Sequence, residues 1–310
     1  MTHVVIFAPA PMLTVTVEEH RGEPDVHLHV GGQGVWQARM LTALGIEVTM
    51  VCSFVGESGR VAHHLLEREG LAIVALEREG VSPAYIHDRR GGERVAIVEA
   101  HGEPLSRHAL DGLYTAMLRE AADADLVILS GPDDEETLPA DVYRRLASDV
   151  RALGRPVLID LAGDRLQASL EGGVDVLKVS HEELEADGLV DDGEDEQQLV
   201  AAARSLADHG ISLVAVTRAA AGSIVISDQG QWRVQAPSLE PVDPRGAGDS
   251  FTAGLASVLA RGGSHAEAVR TAAAAGAVNA TRRGLGTGEA QAIEAIVTRV
   301  ELYDIEEGSA

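Results

Sequence analysis

The chain predicts an α/β fold on a mainly parallel sheet, and two patterns carry that expectation. Short continuous apolar runs recur at 126–129, 157–159, 174–179 and 213–216, too short for helices and without the alternation of a one-sided strand. Such runs suit strands covered on both faces. Between them lie helical patterns: 139–153, with Pro139 near its first turn and Gly154 and Pro156 after it, and 194–209, ended by Gly210. Strand, helix and strand in series imply right-handed crossovers and a parallel sheet. Residues 4–8 and 48–51 are expected to join it.

Two regions depart from that pattern. Leu13, Val15 and Val17, then Val26, Leu28 and Val30, alternate with polar residues like one-sided strands. Residues 84–86 and 94–99 suit pairing with them, giving a small antiparallel sheet, a lid on the main body. The lid segments fall at about 12–30 and 83–100 of one domain spanning 1–310. Residues 223–235, turning at Asp228-Gln229-Gly230, read as a hairpin on the edge of the main sheet. Farther on, Phe251, Leu255, Val258 and Leu259 share a helical face. Ser264-His265-Ala266-Glu267 matches a capping box opening an alanine-rich helix through Ala280.

Composition narrows the function. The net charge of -24 disfavours a nucleic-acid surface, and no apolar run approaches a membrane span. The single cysteine, Cys52, cannot form an internal disulfide and points to a reducing cytoplasm. Residues 1–17 are apolar without a basic leader and are broken by Pro9 and Pro11, so a strand is expected there rather than a signal peptide. Of 25 basic residues only Lys178 is a lysine. Either it is needed as a compact point charge or it survives by chance.

The most informative stretch is Asp243-Pro244-Arg245-Gly246-Ala247-Gly248-Asp249-Ser250-Phe251. Small residues let the backbone approach a ligand and turn its N–H groups inward. The helix that follows adds its unpaired first-turn N–H groups and the positive end of its dipole. That is an anion cradle, and Asp249 beside it makes sense as a base acting on whatever attacks the anion. Cradle plus base means phosphoryl transfer. Arg245 suits a charge-assisted phosphate contact or an ordinary surface ion pair. Gly31-Gly32-Gln33-Gly34 precedes a helix at 35–44 and suits close backbone approach to a substrate under the lid, or a plain turn. His27 and His29 share one strand face, which suits a metal pair or, with no third ligand signalled nearby, a solvated or substrate-facing strand. Thr217 to Gly222 follows a buried strand, where open sheets bind ligands. It is either a nucleotide-flanking loop or a small-residue connection.

Together these segments resemble the ribokinase-like PfkB carbohydrate kinase family, and the likeness covers essentially the whole chain. The run from Asp243 to Gly254 is close to that family's C-terminal signature, and 31–45 resembles its N-terminal one. The stretch Asn279 to Gly288 resembles the 1-phosphofructokinase and tagatose-6-phosphate kinase branch. The resemblance implies a three-layer ribokinase-like fold with a β lid, ATP and Mg2+ as cofactors, and a homodimer through the lid. It makes Asp249 the general base and Gly246, Ala247 and Gly248 the anion hole. It puts Thr217, Ala219 (where a glycine is usual), Gly222 and Asn279 beside the nucleotide. Lys178 becomes countercharge for the phosphates, and Glu183 the acid that helps place magnesium-bound water.

Departures cluster at the acceptor end. Met12 stands where that branch has a sugar-binding aspartate, Gln33 where it has a lysine, Trp36 where it has an asparagine, and Ser180 where an asparagine precedes the acid. No phosphate-gripping arginine is evident around Ala84-Tyr85. The expectation is a cytoplasmic ATP-dependent kinase of a sugar or sugar-like hydroxyl. Its acceptor would be less charged and more apolar than a sugar phosphate, with Trp36 stacking on a ring and Gly31 and Gly32 lining the pocket. The alternatives are a 1-phosphofructokinase-type sugar-phosphate kinase, a nucleoside kinase, or a non-catalytic ligand sensor.

Overall fold

The computed structural model describes residues 1–132 and 135–306. Its main sheet has ten strands. From one edge they run 301–304, 230–235, 223–227, 213–217, 176–180, 157–160, 126–130, 3–7, 47–55 and 72–78. The seven strands from 213–217 to 72–78 pair in parallel. Each central strand matches an apolar run of the sequence, because parallel strands here are covered on both sides. Helices Gln33–Ala43, Ala247–Leu259 and His265–Ala280 cover one face over Val4, Ile6, Ile128, Leu158 and Val176. Helices Arg107–Ala121, Asp141–Ala152 and Glu196–Ala207 cover the other over Val5, Val127, Ile159, Leu177 and Val214. This is the expected three-layer architecture.

The hairpin forms at Ser223–Ser227 and Gly230–Gln235 but does not end the sheet, because Glu301–Asp304 pairs outside it. That strand is four residues long and mostly exposed, so it carries no apolar pattern that a sequence reading can find. Ser264 and Glu267 form the capping box as expected. The alanine-rich helix packs so tightly on helix Ala247–Leu259 that a Cβ at Gly254 would lie 2.5 Å from the Ala272 Cα. The bulk-free face is thus a helix–helix contact.

The lid has four strands in the order Glu23–Gly31, Met12–His20, Ala84–Asp88, Val95–Ala100. It consists of two antiparallel pairs joined by one parallel pairing, Met12–His20 with Ala84–Asp88. Alternation sorts its faces. Thr14, Thr16, His27, His29 and His87 line the cavity over the main sheet, while Val26, Leu28, Val95 and Ile97 are half or more exposed on the outside.

Candidate active site

Carboxyl ends of the parallel strands converge under the lid. Lys178 lies directly opposite Asp160 in the register of neighbouring strands. Paired residues in neighbouring strands point to the same face, so the two side chains meet, with Nζ 2.9 Å from Oδ1. Asp160 Oδ2 accepts from Thr252 Oγ1 at 2.7 Å and from Gln37 Nε2 at 3.2 Å. Thr252 lies on helix Ala247–Leu259, so this carboxylate ties the lysine to the helix that carries the anion turn.

At that helix's N-terminus, Gly246 is the N-cap in a left-handed conformation (φ 72°). A side chain there would be strained and would crowd Gly286 N and Leu285. Ser250 N donates to Gly246 O, the first intrahelical bond, so the N–H groups of Gly248 and Asp249 precede the helical ladder. A Cβ at Gly248 would sit 3.1 Å from Lys178 Nζ, so the glycine lets the ammonium reach the turn.

Charges in this cluster shape one another. Burial, then the Asp160 carboxylate, push the Asp249 carboxyl up to about 8, with Lys178 opposing. Burial alone would lower the Lys178 ammonium, yet Asp160, Glu183 and Asp249 outweigh it and raise it. Burial would raise Glu183, but Lys178 and the Ser180 N–H bond bring it below its usual value. Glu183 also closes a capping box with Ser180, its Oε2 accepting the Ser180 N–H at 2.7 Å.

One cavity of about 1030 Å³ joins these groups to the lid. Met12, Gly31, Gly32, Gln33, Trp36, Lys178, Glu183, Arg245, Gly246, Gly248 and Asp249 all line it. Ala247 is the helix's first residue. Thr217 ends strand Leu213–Thr217, Ala219 and Gly222 lie in the turn after it, and none of the three lines this cavity. Asn279 is fully buried, its Nδ2 donating to Arg245 O at 2.8 Å and its Oδ1 accepting from Thr287 N at 3.2 Å. It braces the anion turn. Arg245 is held by Asp243, with Nε 2.8 Å from Oδ1. Gln33 accepts the Gly131 N–H at 2.9 Å.

The acceptor expected from Met12, Gln33 and Trp36 is less charged and more apolar than a sugar phosphate, yet the cavity is rich in basic side chains. Arg89, Arg94, Arg165 and Arg283 line the cavity along with His27, His29, His87 and His101. Beside the 84–85 stretch, the Arg94 guanidinium lies 4.5 Å from the centre of the Tyr85 ring. Arg94 Nε is buried without a hydrogen-bond partner, as are Trp36 Nε1 and His87 Nδ1. Burial lowers the His29 and His87 imidazoles to about 4, followed by the Arg39 charge at His29 and the Arg94 charge at His87, so both stay neutral. Sequence reasoning missed Asp160, Arg94 and His87. The first is one aspartate at the end of an apolar run, and the other two become neighbours only through lid pairing.

Among the described residues no group of three or more His, Cys, Asp or Glu is arranged to hold a metal ion. Magnesium held mainly by nucleotide phosphates needs only one or two carboxylates, and the Glu183 carboxylate lines the cavity. No helix among the described residues is long and apolar enough to cross a membrane.

The start of helix Ala247–Leu259, the Asp249 carboxyl and the fixed Lys178 ammonium thus share one cavity. The chain belongs to the pfkB family of carbohydrate kinases, which matches residues 2–292. It is 26% identical over 296 residues to the 1-phosphofructokinase of Escherichia coli K12, covering 92% of each chain. The structure resembles phosphofructokinase-2 from Escherichia coli in complex with fructose-6-phosphate, at TM-score 0.82 and 22% identity over 96% of this chain and 99% of that one. It also resembles the ribokinase of Arabidopsis thaliana complexed with ribose and ATP, at TM-score 0.72 and 20% identity over 96% and 98%. The fold is therefore ribokinase-like, the enzyme is a carbohydrate kinase, and its family implies ATP as a substrate.

Proposed function

We propose that the chain transfers the γ-phosphoryl group of ATP to a hydroxyl of a sugar that already carries an anionic group, with Asp249 as general base. The observation that carries this reading is the placement of Asp249 at the amide-bearing helix start beside a lysine fixed by a buried carboxylate. Asp249 takes the hydroxyl proton as the oxygen attacks in line. The amides of Gly246 to Gly248 and the Lys178 ammonium stabilise charge spreading over the transferring oxygens. Glu183 would hold magnesium through water, and the ion would neutralise phosphate charge. Thr217, Ala219 and Gly222 would flank the nucleotide from the neighbouring strand end, and the lid would exclude water.

Arg94 supports the anionic acceptor. It forms no salt bridge among the described residues and is desolvated enough to lower its pKa. A half-buried guanidinium packed on the Tyr85 ring, and paired with no carboxylate among the described residues, favours a ligand that supplies the countercharge. Trp36 Nε1 is another unused donor, and Met12, Gly31 and Gly32 shape the sugar side of the pocket. We include in this reading a homodimer through the outer lid face and a cytoplasmic location, the latter supported by the lone buried Cys52.

ATP turnover with fructose 1-phosphate, tagatose 6-phosphate, fructose, a polyol and adenosine tests the proposal. Turnover of a phosphorylated sugar is expected. Turnover of neutral acceptors alone contradicts the anionic acceptor, and turnover of none contradicts the kinase reading.

A further inference from the structure

We propose that Gln37 is a positioning residue of the phosphoryl-transfer site: its side-chain amide, oriented by Ser130, fixes the Asp160 carboxylate and through it the Lys178 ammonium. The proposal rests on the reading of Lys178 as countercharge to the transferring phosphate.

Gln37 lies on helix Gln33–Ala43 and is fully buried on a face otherwise lined by Gly34, Val35, Ala38, Met40 and Leu41. A primary amide in such a place is costly unless both of its ends are bonded. Here both are. Ser130 Oγ donates to Gln37 Oε1 at 2.6 Å, and Gln37 Nε2 donates to Asp160 Oδ2 at 3.2 Å. The orientation follows from chemistry, since an ionised carboxylate only accepts and the amide must therefore present its nitrogen to Asp160. Ser130 is itself anchored, because its carbonyl accepts the Tyr143 hydroxyl at 3.0 Å.

One turn earlier on the same helix, Gln33 accepts the N–H of Gly131 at 2.9 Å. Two glutamines four residues apart thus grip consecutive residues at the end of strand Leu126–Ser130. That helix follows the Gly31-Gly32 turn and carries Trp36, all on the acceptor side of the cavity. Gln37 is the point where the acceptor side touches the Asp160–Lys178 pair. Without its N–H, Asp160 keeps two donors, Thr252 and Lys178, both on the phosphoryl side. The carboxylate is then free to turn, and the ammonium follows it.

Lys178 is the only lysine, so the protein labelled with [13C]lysine gives one ε-CH2 signal, which reports this ammonium directly. Two variants are compared. Gln37→Met removes the amide but leaves the Ser130 hydroxyl buried without an acceptor. Gln37→Met/Ser130→Ala removes both partners, which is close to neutral for stability. The expected result is a shifted or split Lys178 signal in both, with the double variant melting near the unmodified protein. A Lys178 signal in the double variant identical to the unmodified protein's overturns the proposal, since the effect would then be one of packing. With the acceptor turned over fastest in the panel above, kcat of the double variant should fall about tenfold while KM for ATP moves less than about twofold. An unchanged kcat overturns the proposal too. If no acceptor is turned over, the kinase reading fails, and the Lys178 signal still decides the role of Gln37.

Discussion

The two ends of the cavity are built in opposite ways. At the phosphoryl end three charged groups are held: Asp160 by three donors from three elements, Lys178 by Asp160, and Glu183 by Ser180. At the lid end the polar atoms wait, with Arg94 Nε, His87 Nδ1 and Trp36 Nε1 buried and unpartnered. The contrast matches two tasks. A reaction common to many acceptors gains from donors preorganised before any ligand arrives. A selective pocket can leave donors unsatisfied until the right ligand supplies their partners, so that wrong ligands are rejected by the unmet bonds.

The contrast is broken most severely at Lys178. Lys178→Met leaves Asp160 as a buried carboxylate without its cation, and chemical denaturation should show a loss of about 3 kcal/mol, along with loss of turnover. A smaller effect is expected at the lid. Arg94→Gln should raise KM for a phosphorylated acceptor about thirtyfold, the value of about 2 kcal/mol for a charge-assisted bond, with stability nearly unchanged. Equal loss of stability in both variants would remove the distinction between the two ends.

A subtler effect follows from Asp249. Its folded-state pKa lies above the unfolded value of 3.8, at about 8. A carboxyl raised in this way contributes stability that is full below the unfolded value and is lost as pH rises toward the folded one. Asparagine does not titrate. Melting curves should therefore show Asp249→Asn gaining on the unmodified protein from pH 4 to pH 8, by a few degrees at the upper end. A pH-independent difference would mean that Asp249 is not held protonated in the empty site. The smallest chemical effect belongs to the outside of the lid, where Ile97 is 57% exposed. Ile97→Glu should shift sedimentation from dimer toward monomer, and a native sedimentation coefficient already that of a monomer would remove the dimer.

How much was legible in sequence follows the same division. The glycine turn into helix Ala247–Leu259 could be read from 243–254 because its glycines and helix start are consecutive. The central strands could be read because burial on both faces leaves an unbroken apolar run. Asp160 could not, since its role depends on the register that sets it opposite Lys178. Arg94 could not, because it reaches the cavity only after Val95–Ala100 pairs with Ala84–Asp88. Met12, Gln33 and Trp36 alone likewise say nothing of the arginines that other segments bring to the cavity. Asn279, matched to the nucleotide by resemblance, is fully buried and bonded to Arg245 and Thr287, which no sequence pattern announces.

The central claim is that Asp249 removes the acceptor's proton from within a preformed cradle. Its most direct test is Asp249→Asn, with turnover and ATP affinity measured on the same preparation. The account predicts kcat lower by about a hundredfold or more with ATP bound nearly as tightly as before. Turnover close to that of the unmodified protein would contradict it.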